Sequence, residues 1–404
     1  MEPCRRPFIP YGRQEIEADD VAAVTAALRS GFLTTGPAVA AFEEALAGVV
    51  GARHATVCAS GTAALHLAAL ALELLPGEAV IVPALTFVAT ANAATYVGAR
   101  VIIADVDAAT GLLGPSQLAE ALSRAGSSRV RAVFPVHLNG QPCDLAALAE
   151  MAAGAGLVLV EDACHALGTT WGGAAGDRHR IGDGTAGALA VFSFHPVKTV
   201  TMGEGGAVTT NDPALDARMK RLRHHGMTWI PDQFANRELA FDPDGRPNPW
   251  YHEMSEPGFN YRASDLQCAL GLSQLGKLPR FLAARAEGVD RYDRLIAPLA
   301  PVVQPLGRVE ACRPGWHLYV VHIDFAAAGR SRAEVMTRLR AAGVGSQVHY
   351  LPLHWQPYYR RLNPGLSLPG AEAYYSRCLS LPLFPGLSEA DQEYVVASLA
   401  EALE

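Results

Sequence analysis

An amine that attacks a carbonyl must come from lysine, because a guanidinium keeps its proton in a protein. The sequence offers Lys198, Lys220 and Lys277 and no other lysine. Lys198 ends the run Ala190-Val191-Phe192-Ser193-Phe194-His195-Pro196-Val197-Lys198 and is soon followed by Met202-Gly203-Glu204-Gly205-Gly206. These surroundings are apolar and glycine-rich. A lysine sheltered there can shed its proton and condense with an aldehyde, while the glycines let backbone pass close to a bulky ligand. Lys220, in Arg218-Met219-Lys220-Arg221, is expected in a solvated cationic stripe. Lys277, beside Gly276 and before Pro279, is expected at an exposed helix end.

Two further features could serve the same chemistry. Leu157-Val158-Leu159-Val160 runs into Glu161-Asp162, which sets a carboxylate at the carboxyl end of a buried strand, where open α/β sheets hold ligands. Asp162 could equally cap a turn, and His165 could be a ligand-facing donor or a satisfied core histidine. Ser60-Gly61-Thr62 follows a strand and opens the apolar helix Ala63 to Leu74, a phosphate seat in form, although the same tripeptide is an ordinary helix cap. Taken together, a phosphate seat, an acid at a strand end and a lysine 36 residues beyond that acid describe pyridoxal phosphate. Lysine holds its aldehyde, and a carboxylate keeps the pyridine nitrogen protonated so that the ring acts as an electron sink. Cys164-His165 and His224-His225 lack the spacing of a zinc site, so no metal is expected.

Positioning these groups calls for an α/β domain. Apolar runs alternate with helix-like stretches from about Gly51 to Thr210, the pattern of helices on a mostly parallel sheet. The expected strands are His54 to Ala59, Ala79 to Val82, Arg100 to Asp105, Val130 to Val136, Leu157 to Glu161, Ala188 to Phe194 and Gly206 to Thr210. Gln233 to Tyr251, with three prolines, reads as an irregular excursion. Ala263 to Leu295 has helical spacing broken near Gly276 and Pro279. Strands at His317 to Ile323 and Gly345 to His349, with a helix over Arg332 to Ala342, suggest a smaller α+β domain. The expected division is a large domain over 1–265 and a smaller C-terminal one over 266–404.

Composition narrows the class. A chain of 404 residues, half of them hydrophobic and 18% charged, can bury a large core. Its 33 basic and 40 acidic residues give a net charge of −7 with no basic run, which argues against a nucleic-acid partner. Seven scattered cysteines (Cys4, Cys58, Cys143, Cys164, Cys268, Cys312, Cys378), without a CxxC pair, suit free thiols in a reducing, cytoplasmic setting. Met1 to Gly12 lacks the apolar stretch of an export signal. Ala79 to Ala99 carries no charge, but Pro83, Asn92 and Gly98 interrupt it, which fits a buried strand and helix better than a membrane span.

Over almost its whole length the sequence resembles the fold-type-I, aspartate-aminotransferase-like sugar aminotransferases of the DegT/DnrJ/EryC1/StrS family. The resemblance rests on Leu33-Thr34-Thr35-Gly36-Pro37, Ser60 to Leu65, Pro83 to Ala93, Glu161-Asp162-Ala163, Gly203-Glu204-Gly205-Gly206 and Asn260-Tyr261-Arg262. It implies Lys198 as the Schiff-base lysine, Asp162 as partner of the pyridine nitrogen and His165 near the ring, where relatives often have Gln. It also implies Phe87 stacked on the ring, and Gly61, Thr62 and Ser193 on the phosphate. Asn260 would reach that phosphate from the second subunit of a homodimer with shared active sites. Tyr11, Gly31, Phe32, Leu33, Thr34, Trp316, His317, Leu318 and Tyr319 match positions that line the sugar-nucleotide site, with Gly61, Ser193 and Asn260 beside them. Met202 stands where threonine is usual. Family dehydratases carry histidine in place of the lysine, so Lys198 favours transamination.

Cys164 to Gly168, Phe192 to Lys198, Pro249 to Met254, Trp316 to Tyr319 and Gln347 to Tyr350 are most similar to one branch. Its members move the amino group of L-glutamate to C4 of a UDP-4-keto-6-deoxy-N-acetylhexosamine, giving UDP-4-amino-4,6-dideoxy-N-acetyl-β-L-altrosamine for pseudaminic acid. The alternatives are transfer to another nucleotide 4-keto sugar, a UDP-4-keto-pentose or a dTDP-4-keto-hexose, and a non-catalytic protein that binds pyridoxal phosphate. No membrane partner is expected.

Overall fold

The computed structural model describes residues 6–172 and 177–404, so Cys4 lies outside the described residues. Two helices come first, α1 (Ala18–Arg29) and α2 (Pro37–Val50), the second begun by Pro37 and ended by Gly51, whose φ of 85° suits glycine. The main sheet follows: β1 (His54–Cys58), α3 (Gly61–Ala71), β2 (Glu78–Pro83), α4 (Val88–Tyr96), β3 (Arg100–Ala104), α5 (Pro115–Ala125), β4 (Arg129–Val133), α6 (Leu145–Gly154) and β5 (Val158–Asp162). A side hairpin, β6 (Thr170–Gly172) and β7 (Arg178–Arg180), precedes β8 (Leu189–Ser193), β9 (Gly206–Thr210) and α7 (Pro213–Leu222).

The strands stand in the order β1-β9-β8-β5-β4-β2-β3, parallel except where β9 runs against β1 and β8. Such a sheet must be covered on both faces, and β2 is buried along its full length. The uncharged run from Ala79 to Ala99 is therefore β2, α4 and the turn after it. Among the described residues no helix is long and apolar enough to cross a membrane.

The excursion after α7 is pinched at its base by the two-residue strands β10 (Met227–Thr228) and β11 (Glu253–Met254), with one helical turn, α8 (Arg237–Ala240), inside. The long helical stretch is two helices, α9 (Asp265–Gly276) and α10 (Leu278–Ile296), parted at Lys277 ahead of Pro279. Helix α9 packs on α1 and α2. Lys277 is not at an exposed end. Its side chain is 9% exposed, with the amine 2.6 Å from Asp19, 2.7 Å from Asp20 and 3.3 Å from Glu17.

A second core, built from α10 and later elements, also takes in Ile9 of the N-terminal arm, which bridges to Val344. Its sheet is β12 (Val303–Pro305), β14 (Tyr319–Ile323) and β15 (Cys378–Leu381), while β13 (Cys312–Arg313) joins β6. Helices α11 (Arg332–Ala341), α12 (Pro357–Leu362), α13 (Pro369–Arg377) and α14 (Glu389–Leu403) complete the chain. The strand expected over Gly345 to His349 is reduced to one bridge, Gln347 to Ser380, because the segment from Gln347 to Leu351 turns aside to border a cavity.

Candidate active site

The carboxyl ends of β5 and β8, the amino end of α3 and the start of α4 converge on a cavity of 660 Å³. Asp162, Lys198, His165, Gly61, Thr62, Ser193, Phe87 and Tyr11 all line it, so residues spread over nearly 190 positions meet in one place.

Asp162 is the last residue of β5, and both its oxygens are engaged. Thr90 Oγ1 donates to Oδ2 at 2.6 Å, and the Cys164 N–H donates to Oδ1 at 3.1 Å. Thr86 Oγ1 lies 2.7 Å from Thr90 Oγ1 and, since Thr90 spends its hydrogen on Asp162, Thr86 is the donor of that pair. These two threonines, four residues apart at the head of α4, were not singled out in the sequence. Their spacing is the only trace they leave there, and it is common to any helix start.

Lys198 faces the cavity with no hydrogen-bond or ion-pair partner for its amine among the described residues. Burial holds its pKa below the ordinary lysine value, against the opposing pull of Cys164 and Asp162. Such an amine is free to bond covalently to a carbonyl carbon. At the far end, Ser60 caps α3 by accepting the Ala63 N–H at 3.1 Å, which leaves the first-turn N–H groups of Gly61 and Thr62 for an anion, beside the Ser193 hydroxyl. A Cβ on Gly61 would sit 2.9 Å from Ser193 Cβ, and one on Gly206 would sit 2.3 Å from Ser60 O, so the seat closes only around glycine. An unpartnered amine, a fixed carboxylate and an anion seat in one cavity fit pyridoxal phosphate.

Three buried imidazoles back the cavity. Burial, then Lys198 and His349, holds His165 well below the usual histidine value; burial, then Lys198 and His165, does the same to His317. His349 is lowered by burial and Lys198 to about 3. The rings of His165 and His317 lie 4.4 Å apart. Tyr350, which borders the cavity, sets its hydroxyl 3.2 Å from His165 Nε2, and burial pushes its pKa up.

Other expected site residues lie elsewhere in the single chain. Trp316, His317, Leu318 and Tyr319 are buried and do not border the cavity of the single chain. This stretch enters β14, and Tyr319 stacks on Tyr292 at 4.6 Å and donates to Asp293 at 2.7 Å. Trp316 packs beneath the Arg308 guanidinium. Gly31, Phe32, Leu33 and Thr34 form an exposed turn between α1 and α2, and Asn260 is exposed and bridged to His224. Lys220 is tied to Asp216 at 2.8 Å rather than merely solvated. Six cysteines, Cys58, Cys143, Cys164, Cys268, Cys312 and Cys378, are free thiols. Among the described residues no group of three or more His, Cys, Asp or Glu side chains could hold a metal.

Comparison with known proteins agrees with this geometry. The chain is 36% identical over 400 residues, 98% of its own length and 97% of the relative's, to the spore coat polysaccharide biosynthesis protein SpsC of Bacillus subtilis (strain 168). Among solved structures it is similar to Helicobacter pylori PseC, described as an aminotransferase involved in the biosynthesis of pseudoaminic acid, with a TM-score of 0.86, 28% identity and 98% and 99% of the two chains covered. The putative sugar aminotransferase Spr1654 of Streptococcus pneumoniae, solved in its PLP form, gives a TM-score of 0.83 at 28% identity over 98% of each chain. Residues 14–400 match the DegT/DnrJ/EryC1/StrS aminotransferase family, and with the lysine, carboxylate and anion seat in place the chain belongs to it, as a PLP-dependent nucleotide-sugar aminotransferase of fold type I.

Proposed function

We propose that the chain transfers the amino group of L-glutamate to C4 of a UDP-4-keto-6-deoxy-N-acetylhexosamine, giving UDP-4-amino-4,6-dideoxy-N-acetyl-β-L-altrosamine, the amination of pseudaminic acid synthesis. The observation that carries the reaction type is the unpartnered Lys198 amine across one cavity from Asp162. The choice of sugar draws its support from the likeness to PseC. SpsC is a second relative with a different named role, and it favours the neighbouring reading, another nucleotide 4-keto sugar.

Bound pyridoxal phosphate supplies an aldehyde that takes up the amino group and a ring that spreads the electron pair of a broken C–H bond. The chain does the rest. Asp162, steadied by Thr90 and the Cys164 N–H, would keep the ring nitrogen protonated, and the head of α3 with Ser193 would hold the phosphate. The Lys198 amine, its neutral form favoured by burial, moves a proton from the Cα of glutamate in one half of the cycle. In the other half it returns one at C4 of the sugar. Phe87, 58% exposed, would stack on the ring, and Tyr11, also on the cavity wall, would meet the sugar.

The working form in this reading is a cytoplasmic homodimer. Asn260 and the turn from Gly31 to Thr34, exposed in one chain, complete the partner's cavity. Purified enzyme with glutamate and a panel of UDP- and dTDP-linked 4-keto sugars tests the assignment by product analysis. The altrosamine product from the UDP-N-acetylhexosamine substrate is expected, and preference for a dTDP sugar or a keto-pentose would replace this reading with its neighbour.

A further inference from the structure

The His165 imidazole is addressed at both nitrogens, and the two contacts together fix where its proton sits. The main-chain N–H of Asn139 donates to Nδ1 at 3.3 Å. A neutral imidazole that accepts at Nδ1 carries its hydrogen on Nε2, and Nε2 lies 3.2 Å from the Tyr350 hydroxyl. Tyr350 Oη is therefore the acceptor in that contact. Its own hydrogen has no other protein partner among the described residues, and the side chain borders the cavity.

Asn139 can aim its N–H this way because of its backbone. With φ at 63°, it occupies the left-handed region that asparagine tolerates and β-branched residues avoid. Its peptide is gripped from several sides. The Asn139 carbonyl accepts the His317 N–H at 3.0 Å, and its side-chain amide donates to Tyr374 Oη at 3.2 Å. His317 is itself held, because the fully buried Arg285 donates to the carbonyls of His317 and Leu383, each at 3.1 Å. Arg285 belongs to α10 and Tyr374 to α13, so the aim of this one N–H depends on elements far from the cavity in sequence.

We propose that Asn139 is a positioning residue of the reaction site, acting through His165. It locks the imidazole in the Nε2–H form and so turns the Tyr350 hydroxyl into a donor toward the bound molecule. This rests on the reading of the cavity as the reaction site, and it adds a chemical demand. The molecule held there presents an acceptor, an anionic or carbonyl oxygen or an unprotonated nitrogen, to Tyr350. A donor at that point would leave two hydrogens facing each other, which is costly.

Neutron diffraction from perdeuterated crystals of the cofactor-loaded enzyme reads this directly. Deuterium is expected on His165 Nε2 and absent from Nδ1, with the Tyr350 deuterium directed into the cavity. Deuterium on Nδ1, or a Tyr350 hydroxyl donating to His165, overturns the proposal. Kinetics supply the second arm. Asn139→Val, which cannot hold the left-handed backbone, should lower kcat about tenfold or more with KM for glutamate within about twofold, and Asn139→Gly, which keeps both backbone and N–H, should recover most of that loss. Equal kcat in the Val variant and the wild type, or losses in the two variants that track only their urea midpoints, reduce Asn139 to a structural residue. Absence of pyridoxal phosphate from crystals that still show the His165 proton on Nε2 would instead count against the cofactor reading alone.

Discussion

Lys198 is irreplaceable in kind, because its work needs a nitrogen that can be neutral. Lys198→Arg retains size and charge and should still lower turnover by about a thousandfold or more, with loss of the covalent cofactor's visible absorbance. Asp162 depends on a neighbour the sequence hardly advertises. Thr90→Val removes the 2.6 Å donor to Oδ2 and should cost about tenfold in kcat, with cofactor retained, in a steady-state assay at saturating pyridoxal phosphate. The buried imidazoles predict a pH effect on stability. Unfolded His349 takes up a proton near pH 6.5, folded His349 only near 3, so between these values the unfolded chain binds more protons. Its contribution is complete above pH 6.5 and is lost as pH falls toward 3, on the order of 3 kcal/mol by pH 4, with His165 and His317 acting in the same direction. Urea unfolding at pH 7 and pH 4 should show a smaller drop in His349→Gln than in the wild type; equal drops would remove His349 from the account.

At the scale of elements, the anion seat is a meeting of α3 with β8 and β9, and its tolerance is set by two glycines. Gly206→Ala drives a methyl to 2.3 Å from the Ser60 carbonyl, backbone against backbone, and should destabilise the protein by about 3 kcal/mol while weakening phosphate binding, measured by urea melts and by cofactor titration. A variant as stable as the wild type would mean that α3 slides freely on the sheet. The seven strands of the main sheet were legible because each is a short run rich in apolar or β-branched residues and bounded by turns. His54 to Cys58 and Gly206 to Thr210 lie within a residue of where strands were expected. Gly345 to His349, with Val348 as its one aliphatic side chain, forms one bridge only, since Gln347, Val348 and His349 are spent on a cavity wall and composition does not say which surface a side chain covers. The three-residue β12 was too short to show any period, and Asn139 carried only the turn signal of Asn139-Gly140.

For the whole molecule, chemistry carried by single residue types was the most legible part. Lysines are scarce, and one of them sits in glycine-rich apolar surroundings, which sufficed to find Lys198. Trp316 to Tyr319 lie off the cavity wall of the single chain, since a motif marks a position in the chain and not the side of a strand on which it ends. The role proposed for Asn260 lies between two chains, which a single chain does not display. Mixing Lys198→Arg and Asn260→Ala chains tests that sharing: mixed dimers would assemble one intact site, and random pairing should restore about a quarter of wild-type activity. No recovery on mixing would return Asn260 to its own subunit. The pairing of the other two lysines has a practical outcome. Lys277 lies under three carboxylates and Lys220 against Asp216, so both side-chain amines are already engaged. Borohydride added to the yellow enzyme should therefore leave a single permanent pyridoxyl tag, and a peptide map of the reduced protein should find it on one fragment, the stretch from Phe192 to Thr201.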